Sequence, residues 1–250
     1  MNDEPPANGA GRADPSAGSG AGRAGMASLY PFLYADTGSN VDSVLAEVRR
    51  STIEKATEVV ALREQVAERY AGELADCARV LAGAFEGGAR LFTFGNGGSS
   101  TDAQSVANLF LHPPFGRPLP AFSLTADVAV VTALANDVGF EVVFARQLGA
   151  SARAGDIAMG FSTSGGSANV LRAFDEVSRR GLTTVGLAGY HGGSMAEAGT
   201  IDHLFVIPSA SVHRIQEAQT TVYHVLWELV QSALSDLSSD MASLGTPSPP

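Results

Sequence analysis

Ile157-Ala158-Met159-Gly160-Phe161-Ser162-Thr163-Ser164-Gly165-Gly166-Ser167-Ala168-Asn169-Val170-Leu171 is the stretch whose reading decides the fold. Its first five residues form a short apolar run, which predicts a buried strand. From Ala168 to Phe174 the apolar residues recur at helical spacing. Between the two lies a turn made only of hydroxyls and glycines. A strand-to-helix turn of this composition leaves backbone N–H groups free at the positive end of the helix dipole, where an anion binds. Ser162, Thr163, Ser164 and Ser167 add hydroxyl donors that can wrap a phosphate. No lysine follows in the loop, so it is not the nucleotide-binding GxxxxGK[ST] loop. An uncharged hydroxyl nest suits a sugar monophosphate better than a nucleoside triphosphate with magnesium. The plainer alternative is a Ser/Gly turn that only caps a helix.

Outward from this stretch the pattern repeats. Arg90-Leu91-Phe92-Thr93-Phe94 predicts a strand that runs into Gly95-Asn96-Gly97-Gly98-Ser99-Ser100, and Thr101 to Leu111 has helical spacing up to Pro113-Pro114. Two strand–Gly/Ser–helix units imply two equivalent crevices at the carboxyl edge of one parallel sheet. Further strands are expected at 120–124, 182–187 and 203–207, and helices at 127–135, 141–148 and 167–179. Asn136 and Asp137 end the first of these helices, either as a polar pair at a pocket rim or as a cap and turn. Gly189-Tyr190-His191-Gly192-Gly193 reads as a flexible loop. A last helix is expected from Val212 to Leu237, with Val222, Leu226, Leu229, Val230 and Leu234 as its apolar stripe. Gln216, Gln219, Tyr223 and His224 fall off that stripe or on its edge, and Gln216 and His224 can point to the same side. Residues 40–86 predict two amphipathic helical faces, Val41 to Val48 and Val59 to Leu74, the second helix stopped by Gly87-Gly88. The alternation of helix and strand gives an α/β fold, a three-layer α/β/α sandwich with a parallel sheet.

The ends of the chain differ in composition. Residues 1–28 and 238–250 are poor in aromatic residues and rich in Gly, Ala, Ser and Pro, and are expected as disordered tails around a domain at 40–236, with a helical lead-in at 40–86 and an α/β core at 90–236. The net charge of −10 argues against nucleic-acid or anionic-membrane partners. No apolar run reaches the roughly 18 residues a membrane span needs, and the N-terminus lacks the apolar core of a signal peptide. The single cysteine, Cys77, sits in a helical, partly apolar context and excludes a disulfide framework within the chain, in keeping with a cytoplasmic protein.

The loop GNGGS, the segment LANDVGF, the loop STSGGSANV and the helix start RIQE occur in that order. Together they resemble the SIS (sugar isomerase) domain in its phosphoheptose isomerase branch, across about residues 40–236. The resemblance implies a five-stranded parallel sheet between helices, a homotetramer with sites at subunit interfaces, and conversion of sedoheptulose 7-phosphate to D-glycero-D-manno-heptose 7-phosphate. It assigns Ser162, Thr163, Ser164 and Ser167 to the phosphate cradle, and Asn96, Gly97 and Gly98 to the loop that holds the sugar chain. Asn136 and Asp137 become the polar pair near the substrate hydroxyls. Gln216 and His224 face the reacting end, the histidine as acid/base. Two family positions are not matched. The helix after GNGGS carries in the family a histidine and, four residues on, a glutamate that is the presumed base; with the residues matching Gln216 and His224 these can hold zinc. Here the two positions are Ser105 and Leu109. Serine is a poor zinc ligand and leucine is none, so the zinc site is expected to be lost. Glu217, Asp102 and His112 are the available substitutes for the base. The alternatives to an isomerase of this kind are a non-catalytic phosphosugar-binding regulator, or an isomerase for another phosphosugar with Leu109 and Phe110 shaping a more apolar pocket.

Overall fold

The computed structural model describes residues 41–244. The chain divides into two units between Lys55 and Ala56. The tail expected at 1–28 lies outside the described residues. Helix α1 runs from Val41 to Glu86 as one element of 46 residues, where the sequence reading expected two helices. No glycine or proline occurs between Val41 and Ala71, so nothing interrupts the backbone ladder. It stops where Gly88 takes φ +83° and Ala89 N–H donates to Ala84 O at 3.0 Å, a glycine-dependent helix end. In the first turns Arg50 pairs with Glu47 and Glu54, both across exposed side chains.

From Val59 onward α1 buries Leu62, Val66, Tyr70, Leu74, Cys77 and Leu81, at intervals of three and four residues. Burial, with the nearby charges of Glu73 and Asp202, pushes the Cys77 thiol up to about 12. It is a buried structural thiol, unreactive near neutral pH.

The sheet comprises β1 (Leu91–Gly95), β2 (Ala121–Ser123), β3 (Ile157–Ser162), β4 (Thr183–Gly189) and β5 (His203–Ile207), in the order β2-β1-β3-β4-β5. All pairs are parallel. Between them run α2 (Gly98–Leu111), α3 (Val128–Asp137), a 3-10 turn at Phe140–Val142, α4 (Val143–Ser151), α5 (Ala168–Ser178), α6 (Gly193–Glu197) and α7 (Val212–Leu244). Side chains alternate along the strands, so each face of the sheet has its own core. Leu91, Ile157, Met159, Phe161, Leu187 and Phe205 pack with α1, α2 and α7. Phe92, Phe94, Ala158, Ala188 and Val206 pack with α4, α5 and α6. Strands buried on both faces explain why these segments read as continuous apolar runs.

Several expectations change in detail. Gln219 and Tyr223 are buried at 0% and 4% exposure rather than lying off the apolar stripe. Gln219 is drawn in because its amide donates to Ala188 O at the end of β4. Phe110 is also fully buried, stacked on Phe85, so it belongs to the core and shapes no pocket. The segment expected as a flexible loop at 189–193 is a short turn between the end of β4 at Gly189 and the start of α6 at Gly193. Asn136 and Asp137 are the last residues of α3, and Val138 is the cap. Helix α7 continues to Leu244, beyond the expected end at Leu237, because no glycine or proline intervenes before Gly245.

Strand order fixes where a ligand can sit. From β1 the chain goes outward to β2, then returns to β3 on the other side. The β1/β3 boundary is thus the topological switch point, where the following helices diverge and open a crevice at the carboxyl ends. Register places Gly95 beside Phe161, so the loops after β1 and β3 leave the sheet side by side. At the opposite end, buried Asp156 accepts from the Arg90 and Arg153 backbones and pairs with the Arg90 guanidinium at 2.6 Å. That carboxylate ties the amino ends of β1 and β3 together.

Candidate functional site

The first loop is a nest of hydroxyls. Ser162, buried at the end of β3, lies 2.9 Å Oγ to Oγ from Ser167 and 3.4 Å from Ser164. The Ser164 hydroxyl accepts from Gly166 N–H at 3.2 Å, and Gly165 N–H donates to Ser162 O at 2.9 Å. Thr163 is half-buried beside them and Ser164 is exposed. Gly165 is required here: its φ is +66°, and a Cβ would lie 1.9 Å from Gly192 O. Met195 N–H also donates to Gly165 O, so the start of α6 buttresses the nest.

Ser167 is the N-cap residue of α5, yet its side chain makes no capping bond. A serine that served only as a cap would accept from the first-turn N–H groups. This one turns to Ser162 instead. The three hydroxyls thus gather at the start of α5, where Val170 N–H is bonded to Ser167 O at 3.1 Å and the positive end of the helix dipole favours an anion.

The second loop lies alongside. Gly97 has φ +54° and α2 begins at Gly98, again without a side-chain cap. The two loops are joined by a reciprocal amide pair: Asn96 Nδ2 donates to Asn169 Oδ1 at 2.8 Å, and Asn169 Nδ2 to Asn96 Oδ1 at 2.8 Å. Asn169 is 3% exposed and was not singled out from the sequence. An asparagine in the first turn of a helix reads there as ordinary end chemistry, and only the fold reveals its partner.

Helix α7 closes the crevice. A Cβ at Gly98 would meet Gln216 Nε2 at 2.3 Å, so glycine is what admits this glutamine. The same Nε2 donates to Asp102 Oδ2 at 3.5 Å. Burial pushes the Asp102 carboxyl up to about 6, against the opposing hydrogen bond from Gln216. Thr220 donates to Gln216 O, and Tyr223 Oη donates to Thr220 Oγ1 at 3.5 Å. Burial holds the Tyr223 phenol above its usual value; the Asp102 charge adds to this, while its contacts with the Thr220 and Ser105 hydroxyls oppose it. His224 is exposed and stacks on Tyr223, ring centroids 5.1 Å apart. Gln216, Thr220 and His224 thus follow one another at four-residue spacing along α7.

The remaining sequence candidates sit elsewhere. Asn136 and Asp137 are exposed on α3 and bonded to each other at 2.8 Å. Ser105 is exposed on α2, and Leu109 packs against the core. Among the described residues, no cluster of three or more His, Cys, Asp or Glu side chains could hold a metal ion. Of the positions that the family resemblance gives to zinc, Ser105 is a poor ligand, Leu109 is a half-buried hydrocarbon that supplies none, and Gln216 is turned to Asp102, a set whose chemistry does not fit zinc.

Comparison with known proteins gives consistent matches. A SIS domain model matches residues 54–189. The phosphoheptose isomerase of Aquifex aeolicus (strain VF5) is 41% identical over 173 residues, 68% of this chain and 90% of that protein. That of Pelobacter propionicus is 43% identical over 176 residues, 70% and 92% respectively. Among solved structures, phosphoheptose isomerase GmhA from Neisseria gonorrhoeae superposes with a TM-score of 0.66 at 31% identity, covering 76% of this chain and 99% of that one. A phosphoheptose isomerase from Francisella tularensis does so at 0.62 and 28% identity, covering 72% and 98%.

Proposed function

The chain belongs to the SIS domain family, in its phosphoheptose isomerase branch, and from that premise we propose that it interconverts sedoheptulose 7-phosphate and D-glycero-D-manno-heptose 7-phosphate. The observation that carries the reading is the ring Ser162–Ser164–Ser167, whose cap serine is turned inward. A phosphate there receives hydroxyl and backbone donors and the α5 dipole, each charge-assisted hydrogen bond contributing about 1.5–3 kcal/mol. The sugar chain then runs over Gly97 and Gly98, where the missing side chains allow close approach. The reacting end lies toward Gln216 and His224. Asn136 and Asp137 are assigned to the substrate hydroxyls by family likeness.

Ketose–aldose exchange moves one proton between C1 and C2 and another between the two oxygens, through an enediol. His224 is assigned the oxygen-bound proton, for which an imidazole is suited. The enzyme works without zinc in this proposal, since Ser105 and Leu109 supply no ligand. We further take the protein to be a cytoplasmic homotetramer acting on a small phosphosugar, without nucleic-acid or membrane partners. Support for assembly comes from α3, an apolar helix with no buried residue, on which Val128 is 67% exposed. No helix among the described residues is long and apolar enough to cross a membrane.

One observation favours a second reading. Leu109 stands where the family carries its base, and it packs against the core, which suits a regulator that binds the phosphosugar without turning it over. Incubation with sedoheptulose 7-phosphate, followed by NMR, separates the two. Appearance of the aldose is the expected result. A saturable thermal shift with no product over many hours would overturn the enzyme reading and leave the regulator. Stoichiometric zinc in the purified protein would overturn the metal-free chemistry. Sedimentation as a monomer at micromolar concentration would remove the tetramer.

A further inference from the structure

We propose that Asp102 is the group that moves the carbon-bound proton, in place of the glutamate absent at 109. The assignment rests on the isomerase reading above and concerns a residue that the family likeness leaves without a role. Asp102 lies one helical turn beyond Gly98 on α2, so the two share a face. Gln216 Nε2 donates to Asp102 and lies close over Gly98, where a Cβ would meet it at 2.3 Å. The carboxylate is therefore fixed beside the loop over which the sugar chain passes, and not on the outer surface.

Its neighbours along the α2/α7 seam, Gln216, Thr220, Ser105 and Tyr223, are neutral hydrogen-bonding groups. Gln216 bonds the carboxylate without neutralising it, as a proton carrier requires. The two other substitutes are misplaced. Glu217 is paired with Arg214 at the exposed surface of α7. His112 caps the far end of α2, roughly 20 Å along the helix from Gly98.

The step balances as follows. Asp102 takes a proton from C1 of the ketose; the C–H electron pair becomes the C1=C2 double bond, and the C2 carbonyl pair becomes an alkoxide that takes a proton from His224. In the second half His224 recovers a proton from the C1 hydroxyl, whose oxygen forms the new carbonyl. The double-bond pair then takes the Asp102 proton at C2. Both groups return to their starting state.

The test uses the full chain with sedoheptulose 7-phosphate in D2O, following turnover and deuterium entry at C1 and C2. Asp102→Asn keeps shape and the Gln216 contact, and should lower kcat on the order of 10²–10⁴-fold with deuterium entry lost in parallel, while KM stays within about threefold. Asp102→Glu should recover part of the rate, which a merely structural role would not. Asp102→Ser serves if the asparagine variant does not fold. Glu217→Gln and His112→Gln should keep the parent's rate. An Asp102→Asn kcat within about threefold of the parent overturns the assignment alone. A parent that binds but neither turns over nor exchanges deuterium overturns the isomerase reading, and this assignment with it.

Discussion

The crevices after β1 and β3 are built alike and have fared differently. Each is a strand entering a glycine–hydroxyl turn at the start of a helix that lacks a side-chain cap. Behind β3 every hydroxyl of the turn is present, and the three serines hold one another in place. Behind β1 the glycine loop is present, and the helix that follows carries Ser105 and Leu109 at the positions that the family resemblance assigns to a histidine and a glutamate. Anchoring a phosphate depends on backbone direction and small donors, and survives any change that leaves the turn intact. Proton transfer depends on one ionisable group at one place. On the proposed reading, the phosphosugar anchor is kept while the proton-carrying group stands at another place on the helix.

The strongest way to break this comparison is to destroy the better crevice. Gly165→Val should cost about 3–5 kcal/mol, because a left-handed φ and a 1.9 Å clash with Gly192 O act together. Thermal unfolding would show it, and phosphosugar binding should be lost in whatever protein folds. Asp156→Ala should cost a similar 3–5 kcal/mol by leaving Arg90 without its buried partner. This variant loosens both crevices from the opposite edge of the sheet, so it should lower stability without favouring one loop. Burial opposes ionisation of Asp156, but the Arg90 side chain and the Arg153 and Arg90 N–H groups outweigh it and hold the carboxyl below its ordinary 3.8. Its contribution is therefore complete above about 3.8 and lost as pH falls through the lower folded value. Acid titration of parent and Asp156→Asn should converge at low pH.

Within the β3 crevice, Thr163→Ala with Ser164→Ala should weaken phosphosugar binding by about 1.5–3 kcal/mol for each charge-assisted bond removed, read by calorimetry. Unchanged affinity would show that the ring is not the anchor. The coupling of the crevices is a smaller quantity. A double-mutant cycle of Asn96→Ala and Asn169→Ala should return about 1–2 kcal/mol, the reciprocal amide pair counting once.

The smallest effect distinguishes the β1 crevice by its pH dependence. Asp102 is raised to about 6 when folded, so folding favours its protonated form. The parent is at its relative best below the unfolded value of 3.8 and loses ground as pH rises through 6. Asp102→Asn should accordingly be more stable than the parent by about 1 kcal/mol at pH 8, the shift being discounted for solvent screening of a half-exposed carboxylate, and no different at pH 3.5. A residue that lowers stability where the protein works is what a functional carboxylate looks like. Equal melting temperatures across this range would remove that signature.

What could be read from the sequence was local. The strand–turn–helix units at 90–111 and 157–178 follow from apolar runs, glycines and helical spacing, all short-range. The hydroxyl nest was legible for the same reason, since its four side chains lie within six residues. The departures at Ser105 and Leu109 were visible as residue types, because a leucine can bind neither proton nor metal in any fold.

Only tertiary structure decided which residues meet. Asn169 looks like ordinary helix-start chemistry until the β1/β3 register brings Asn96 to it. Gln219 and Tyr223 read as polar or edge positions until α7 settles on β4 and buries them. Asp102 was one candidate among three with no geometric reason to prefer it, until the crossing of α2 and α7 put Gln216 against it and left Glu217 and His112 elsewhere. Secondary structure is encoded over a few neighbouring residues. The proton affinity of a carboxylate is set by what surrounds it in space, and those neighbours come from distant parts of the chain.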